Sequence, residues 1–226
     1  MRIFNTKLIE DNIAENSALK KELLSWVDQL SNNNYESLDQ LKVHFKKLFD
    51  ISEKIIFFSF NKNTFYLACK INFEAQKIIV VTANTKKNDS PIKNSFSVKK
   101  IKDIDFIKSN ETYIEYVSRV NFLFEITDTN ELYKELIFLE LMIEDFQSKT
   151  YDFDKPHPID SIIYMMENIG IDQTKLSLLM QSKSRVSEIL KKRRVMSVSN
   201  MRKLHSLLGV PMSTLMQEYK IVKFGN

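Results

Sequence analysis

Glycine is scarce in this 226-residue chain: Gly170, Gly209 and Gly225 are the only three. A Walker-type phosphate loop and a dinucleotide-binding turn both need clustered glycines, because the backbone must approach phosphate with no Cβ in the way. Both are excluded. A single cysteine, Cys69, rules out an internal disulfide framework. Its setting, FYLACKINF, reads as a buried strand in a protein of a reducing compartment. His44, His157 and His205 lie far from one another and from Cys69, without metal-ligand spacing, so neither a metal nor another cofactor is expected. No apolar run approaches membrane-spanning length, and MRIFNTKLIEDN lacks the apolar stretch of a signal peptide. The expectation is a cytoplasmic protein with no membrane partner. Sparse glycine beside abundant Lys, Asn and Ile also fits an AT-rich genome, so some of the basic character is compositional.

The charge that is present is segmented. Residues 1–109 carry 18 Lys/Arg against 13 Asp/Glu, residues 110–154 carry 3 against 11, and residues 155–226 carry 12 against 5. An acidic block between two basic ones reads as a spacer that contacts a basic neighbour, one that keeps off DNA by repulsion, or simply a solvated helical face. Periodicity supplies the elements. Residues 7–30 repeat apolar side chains at helical spacing, as one helix or a pair, and Ser37 is a plausible cap for a second helix over residues 37–49. Lys54–Phe60, Thr64–Phe73 and Gln76–Ala83 are short runs rich in Ile, Val, Phe and Tyr, the pattern of an antiparallel meander. Lys86–Lys102 is polar and basic around Pro91, without sustained period, and reads as a linker. Residues 110–148 form an acidic helical hairpin. Five helices follow: Ile159–Ile169, Asp172–Met180, Lys183–Lys191, Ser197–Leu208 and Pro211–Tyr219. Gly170 and Gly209 stand just past helix ends, and Pro211 at a first helical position.

The fold class is therefore an α+β N-terminal domain, helices then a small antiparallel sheet, and an all-α C-terminal domain, with an acidic helical segment between. The expected domains are 1–90, a linker at 91–106, the acidic segment at 107–154 and the last domain at 155–226.

The most informative stretch is Asp172–Arg194, two short helices about a tight turn. Leu176, Leu179, Met180, Val186, Ile189 and Leu190 would pack the pair together. Gln173 and Thr174 stand where a helix entrance can meet a phosphate. Ser182, Lys183, Ser184, Arg185 and Ser187 form the entrance of the second helix, and Lys191, Lys192, Arg193 and Arg194 follow it. Polar side chains at a helix start can read base edges in the DNA major groove, and the cations behind them neutralise phosphates. Pattern alone leaves open an ordinary five-helix domain with a basic surface.

Residues 156–216, with PIDSI, ENIGIDQTKL, SKSRVSEIL and MRKLHSLLGVP, resemble the helix-turn-helix domain of HigA-type antitoxins of the Xre/Cro repressor superfamily. The acidic segment from Ile107 to Asp154 is similar to the N-terminal helical part of those antitoxins. The resemblance implies a dimeric autorepressor that reads an inverted repeat in double-stranded DNA and also masks a toxin. Two departures stand out: Gln181 where the family has Gly at the turn, and Lys191–Lys192 where it has Asn-Gly.

Residues 15–89 resemble HigB-type toxins of the RelE/ParE superfamily, which are ribosome-associated mRNA endonucleases. The resemblance rests on LLSWVDQL, SLDQLKVHF and IIFFSFNKNTFYLACKINF followed by KIIVVTANTKKND. Toxin before antitoxin is also the HigB–HigA order, and no Met near 95–110 offers a separate start, so the chain reads as a fusion of both. The chemistry departs from the family. Its strand reads FNIKGNKYRL; here Phe58, Asn63 and Leu67 remain, while Asn61, Thr64 and Tyr66 hold the usually basic positions. Asn84 replaces the histidine of the later segment, and asparagine cannot shuttle a proton near neutral pH. Lys62, Tyr66, Asn84 and Lys87 are the degenerate catalytic candidates. The toxin-like part is expected to be impaired or inactive. The alternatives are an active mRNA endonuclease neutralised in cis, and a decoy that captures a separate, active toxin or its antitoxin through the retained fold.

Overall fold

The computed structural model describes residues 1–13, 17–46, 48–52, 55–84, 101, 104–124, 131–151 and 153–222. Lys87 and most of the expected linker at 91–106 lie outside the described residues. Contacts group the chain into two compact units, neither of them one continuous stretch. One comprises Met1, Asn16–Leu48 and Asp154–Asn226; the other comprises Arg2–Glu15 and Phe49–Phe153. This grouping interleaves the run 1–90, whose helices fall largely in the first unit and whose strands fall in the second.

The helical unit contains α2 (Ser17–Ser31), α3 (Leu38–His44), α6 (Pro158–Ile169), α7 (Gln173–Leu179), α8 (Lys183–Leu190), α9 (Val198–Leu208) and α10 (Met212–Leu215). Helix α2 puts Leu19, Leu23, Leu24, Trp26 and Leu30 into the core, at the three- and four-residue spacing of one helix face. It packs on α6, where the Ser25 and Ser161 hydroxyls lie 3.4 Å apart. The Gln29 amide donates to the Gly209 carbonyl at 2.9 Å, and the Thr214 hydroxyl donates to Asp28 at 2.5 Å. Gly209 ends α9 with φ 71°, and a Cβ there would stand 2.7 Å from His44 Nε2, so this joint requires glycine twice over.

The expected last helix, Pro211–Tyr219, is shorter than its apolar pattern. Pro211 precedes α10 as its cap, and helical structure stops at Leu215. Beyond it the tail bonds back to the loop after α8: the Tyr219 hydroxyl accepts from Met196 N–H, and Val222 N–H donates to Lys192 O. Those bonds replace the helical ones that continuing the helix would have made.

Two histidines give this unit a pH dependence. The neutral His157 ring caps α6 by accepting from Ile159 N–H at 3.1 Å, which requires a lone pair on Nδ1. Burial, and then the charge of Lys192, hold the His157 pKa below its ordinary value; burial does the same for His44. A depressed histidine pKa means that the folded state resists a proton the unfolded chain accepts. Stability is thus full above about pH 6.5 and falls as pH drops through the lowered folded values. The melting temperature is expected to decrease between about pH 7.5 and about pH 5.5, and His44→Gln should flatten the decrease.

The second unit holds α1 (Lys7–Ile13), a sheet of β1 (Arg2–Phe4), β2 (Leu48–Ser52), β3 (Ile55–Phe60), β4 (Phe65–Asn72) and β5 (Lys77–Asn84), and the helices α4 (Asn110–Leu123) and α5 (Glu131–Thr150). The sheet order is β1-β5-β4-β3-β2. Strands β3, β4 and β5 are the expected meander, with Phe60 opposite Phe65 at the first hairpin. The expectation of a purely antiparallel sheet is corrected: β1 runs parallel to β5, with Ile3 opposite Ile78. Three residues are too few for an alternating pattern, so periodicity could not reveal β1.

The acidic hairpin α4–α5 shares a core with this sheet through Phe4, Ile79, Tyr113, Val120, Leu139 and Ile143. Of the readings open for the acidic block, contact with basic residues is seen within this unit. Glu140 receives Lys77 Nζ at 2.6 Å with both side chains buried, and Glu144 receives Arg2 at 3.2 Å. Gln147 Nε2 donates to the Ile3 carbonyl, while its Oε1 accepts from the Tyr113 hydroxyl at 2.9 Å.

Candidate nucleic-acid interface

Helix α7 begins at Asp172, whose carboxylate accepts from Lys175 N–H at 2.7 Å, so Asp172 is a cap rather than a helical residue. The helix ends at Leu179, and Gln181 just beyond its cap is in the left-handed region at φ 56°. There Ser182 N–H reaches back to Ser177 O at 3.1 Å. The Ser182 hydroxyl then accepts from Arg185 N–H at 3.3 Å and starts α8. Leu176, Met180, Val186 and Ile189 are buried in this helical unit. Leu179, expected among them, is 42% exposed, and Leu178 is 74% exposed.

With Val186 and Ile189 facing inward, the entrance of α8 is turned outward. Lys183, Ser184 and Arg185 are exposed, and Ser182 and Ser187 are half-buried. Gln173 and Thr174, in the first turn of α7, are exposed too. The first amides of α8 and its helix dipole favour an anion at the same end. This arrangement suits hydrogen bonding to base edges and phosphate oxygens.

The four cations after α8 have different surroundings. Lys191 and Arg193 are exposed. Arg194 Nη1 lies 2.7 Å from Glu188, with both groups largely in water. Lys192 is turned inward: its Nζ lies 3.0 Å from Asp160 at the start of α6, its side chain is 28% exposed, and its backbone is left-handed at φ 56°. Gln181 and Lys192 are thus both non-glycine residues in the conformation that glycine favours, at a cost of roughly 1 kcal/mol each. Asp160 and Tyr219 hold this loop, and neither is identified by the sequence pattern around α8.

On the sheet, Lys62 sits exposed at the β3–β4 turn, where Asn61, Lys62 and Asn63 all have positive φ. Tyr66 is buried, lies opposite Asn84 across β4 and β5, and donates its hydroxyl to the Asn63 carbonyl. Lys70 Nζ donates to Asn121 O at 3.5 Å, and Lys77 is taken up by Glu140. The sequence has no histidine between His44 and His157, so no imidazole stands on the strands. Burial also pushes the Cys69 thiol up, well above its ordinary range, leaving it an unreactive core residue. Among the described residues no group of three His, Cys, Asp or Glu side chains is placed to hold a metal ion, and no helix is long and apolar enough to cross a membrane.

Residues 19–88 match the family model HigB_toxin, the RelE-like toxic component of a toxin-antitoxin system. The match begins in α2 and ends just past β5, so it runs from the helical unit into the strand unit. No curated protein matches the chain. The similarity to RelE-like toxins therefore rests on these residues, which make up under half of the chain.

Proposed function

We propose that this chain is a toxin–antitoxin fusion acting mainly as a sequence-specific DNA-binding repressor of its own promoter. In this reading it is a homodimer in the cytoplasm, binding an inverted repeat, and the helices α6 to α10 are its helix-turn-helix domain. The observation that carries the reading is the entrance of α8. It is a capped helix start with Lys183, Ser184 and Arg185 exposed together, held from behind by buried Val186 and Ile189. The toxin-like strands keep their apolar framework, with Asn61, Thr64 and Tyr66 at the usually basic positions and Asn84 in place of the family's histidine, which supports a part that no longer cleaves mRNA.

Duplex selection with the full chain, followed by binding measurements on Arg185→Ala, tests the reading. A bidentate arginine–guanine contact discriminates by about 1–3 kcal/mol. Arg185→Ala is therefore expected to lose roughly tenfold or more in preference for the selected site over random DNA. An unchanged preference would show that α8 does not read the operator.

A second reading, an active endonuclease neutralised in cis, is favoured by a separate observation: Glu140 and Glu144 of the acidic hairpin take up Lys77 and Arg2 of the sheet. An assay of mRNA cleavage on translating ribosomes, before and after proteolysis between residues 86 and 102, distinguishes the two. Cleavage that appears only after the cut supports the second.

A further inference from the structure

The loop after α8 is held from two directions, and both holds converge on Lys192. From α6, Asp160 takes the Lys192 ammonium at 3.0 Å, with Lys21 of α2 at 3.5 Å from the same carboxylate. From the C-terminal tail, Val222 N–H donates to the Lys192 carbonyl at 2.7 Å. Three residues earlier in the tail, the Tyr219 hydroxyl accepts from Met196 N–H at 3.1 Å and donates to Arg194 O at 3.2 Å. The His157 ring, also at the start of α6, packs on the Tyr219 ring at 5.1 Å between centroids. A left-handed lysine is unfavourable by itself, and these bonds over-determine it.

We infer that Lys192 is a strut and not a phosphate contact. Together with Asp160, Tyr219 and Val222 it fixes the backbone of the loop Lys191–Met196, so that the exposed cations on either side of Lys192 meet the DNA backbone already placed. The inference rests on the DNA-binding reading and assigns positioning roles within it to Asp160 and Tyr219. Ordering this loop in advance removes an entropy cost that binding would otherwise carry.

The sign of one substitution separates a strut from an ordinary cation. Asp160→Asn removes a negative charge near the interface and releases a lysine, so by electrostatics alone it tightens DNA binding. By the strut assignment it weakens binding, because the loop loses its anchor.

The test uses the full chain and a labelled mixed-sequence DNA duplex titrated across a salt series. Asp160→Asn and Tyr219→Phe are each expected to weaken binding roughly three- to tenfold, the range of one lost hydrogen bond. Lys192→Ala is expected to weaken it similarly while leaving the salt slope unchanged, whereas loss of a phosphate contact lowers that slope by about 0.9. Lys192→Arg, which still reaches a carboxylate, is expected to restore affinity.

Amide hydrogen exchange at Met196 and Val222 supplies an arm that needs no DNA, and it must speed up in Tyr219→Phe. Tighter binding by Asp160→Asn, a flattened salt slope in Lys192→Ala, or unchanged exchange in Tyr219→Phe overturns the inference and leaves the DNA reading standing. Wild-type protein that ignores the duplex at low salt overturns both.

Discussion

Glu135→Ala is expected to destabilise the strand-and-hairpin unit by about 3–5 kcal/mol, the cost of stranding one half of a desolvated ion pair. Arg119 reaches Glu135 from α4 with two parallel donations, Nε at 2.7 Å and Nη2 at 2.8 Å. The two side chains are 6% and 4% exposed, so water cannot replace either partner. After the substitution the guanidinium retains the Phe122 ring, 5.5 Å away. A cation–π contact is worth about 0.5–2 kcal/mol and cannot stand in for a bidentate carboxylate. The Ile101 amide, 3.4 Å from the same carboxylate, loses its acceptor as well.

The complementary variant removes both charges. Arg119→Met combined with Glu135→Leu is expected to unfold within about 1 kcal/mol of wild type, or later, since apolar replacements of similar volume relieve both desolvation costs. Urea unfolding followed by circular dichroism reads both variants. A loss under about 1 kcal/mol in Glu135→Ala would mean that the pair behaves as a surface contact.

What the sequence made legible here was mostly local, and what it hid was mostly partnership. The helical period over 110–148 corresponds to α4 and α5, the three apolar runs to β3, β4 and β5, and Gly170 and Gly209 to left-handed helix ends. Gln181 and Lys192 stand out in the sequence as non-glycine residues where a helix-turn-helix wants glycine, and both have φ 56°. Those features are properties of a few consecutive residues. By contrast, β1 is three residues long and pairs with a strand more than seventy positions away. The acidic composition of 110–154 left contact with a basic neighbour open beside other readings, and no periodicity could say that Glu140 meets Lys77 and Glu144 meets Arg2.

The same division runs through the candidate interface. Exposure of Lys183, Ser184 and Arg185 follows from the apolar spacing of Val186, Ile189 and Leu190. The inward turn of Lys192 depends on Asp160, 32 positions earlier and on a different helix, so four consecutive cations that look alike in sequence differ in the fold.

The largest effect expected in the helical unit comes from a residue remote in sequence from α8. Trp26→Ala should cost about 3–5 kcal/mol, since it removes a fully buried indole and leaves a cavity that α2 and α6 can only partly close. Domains of this kind are stable by roughly 5–15 kcal/mol, so the loss is a large fraction of the total. The damage is not confined to α2. Gln29 and Asp28, on the following turn, hold Gly209 and Thr214 at 2.9 and 2.5 Å, and through them the ends of α9 and α10. Trp26→Ala is accordingly expected to lower the melting temperature of the helical unit and to abolish duplex binding near that temperature. Lys20→Ala, which removes a water-exposed contact to Asp154, should cost under about 1 kcal/mol. Thermal unfolding and duplex binding on both variants decide the matter. Wild-type melting and affinity in Trp26→Ala would show that α6 to α10 stand without α2. The expected outcome instead gives α2, most of which lies within the toxin-like match, a structural part in the unit that presents α8.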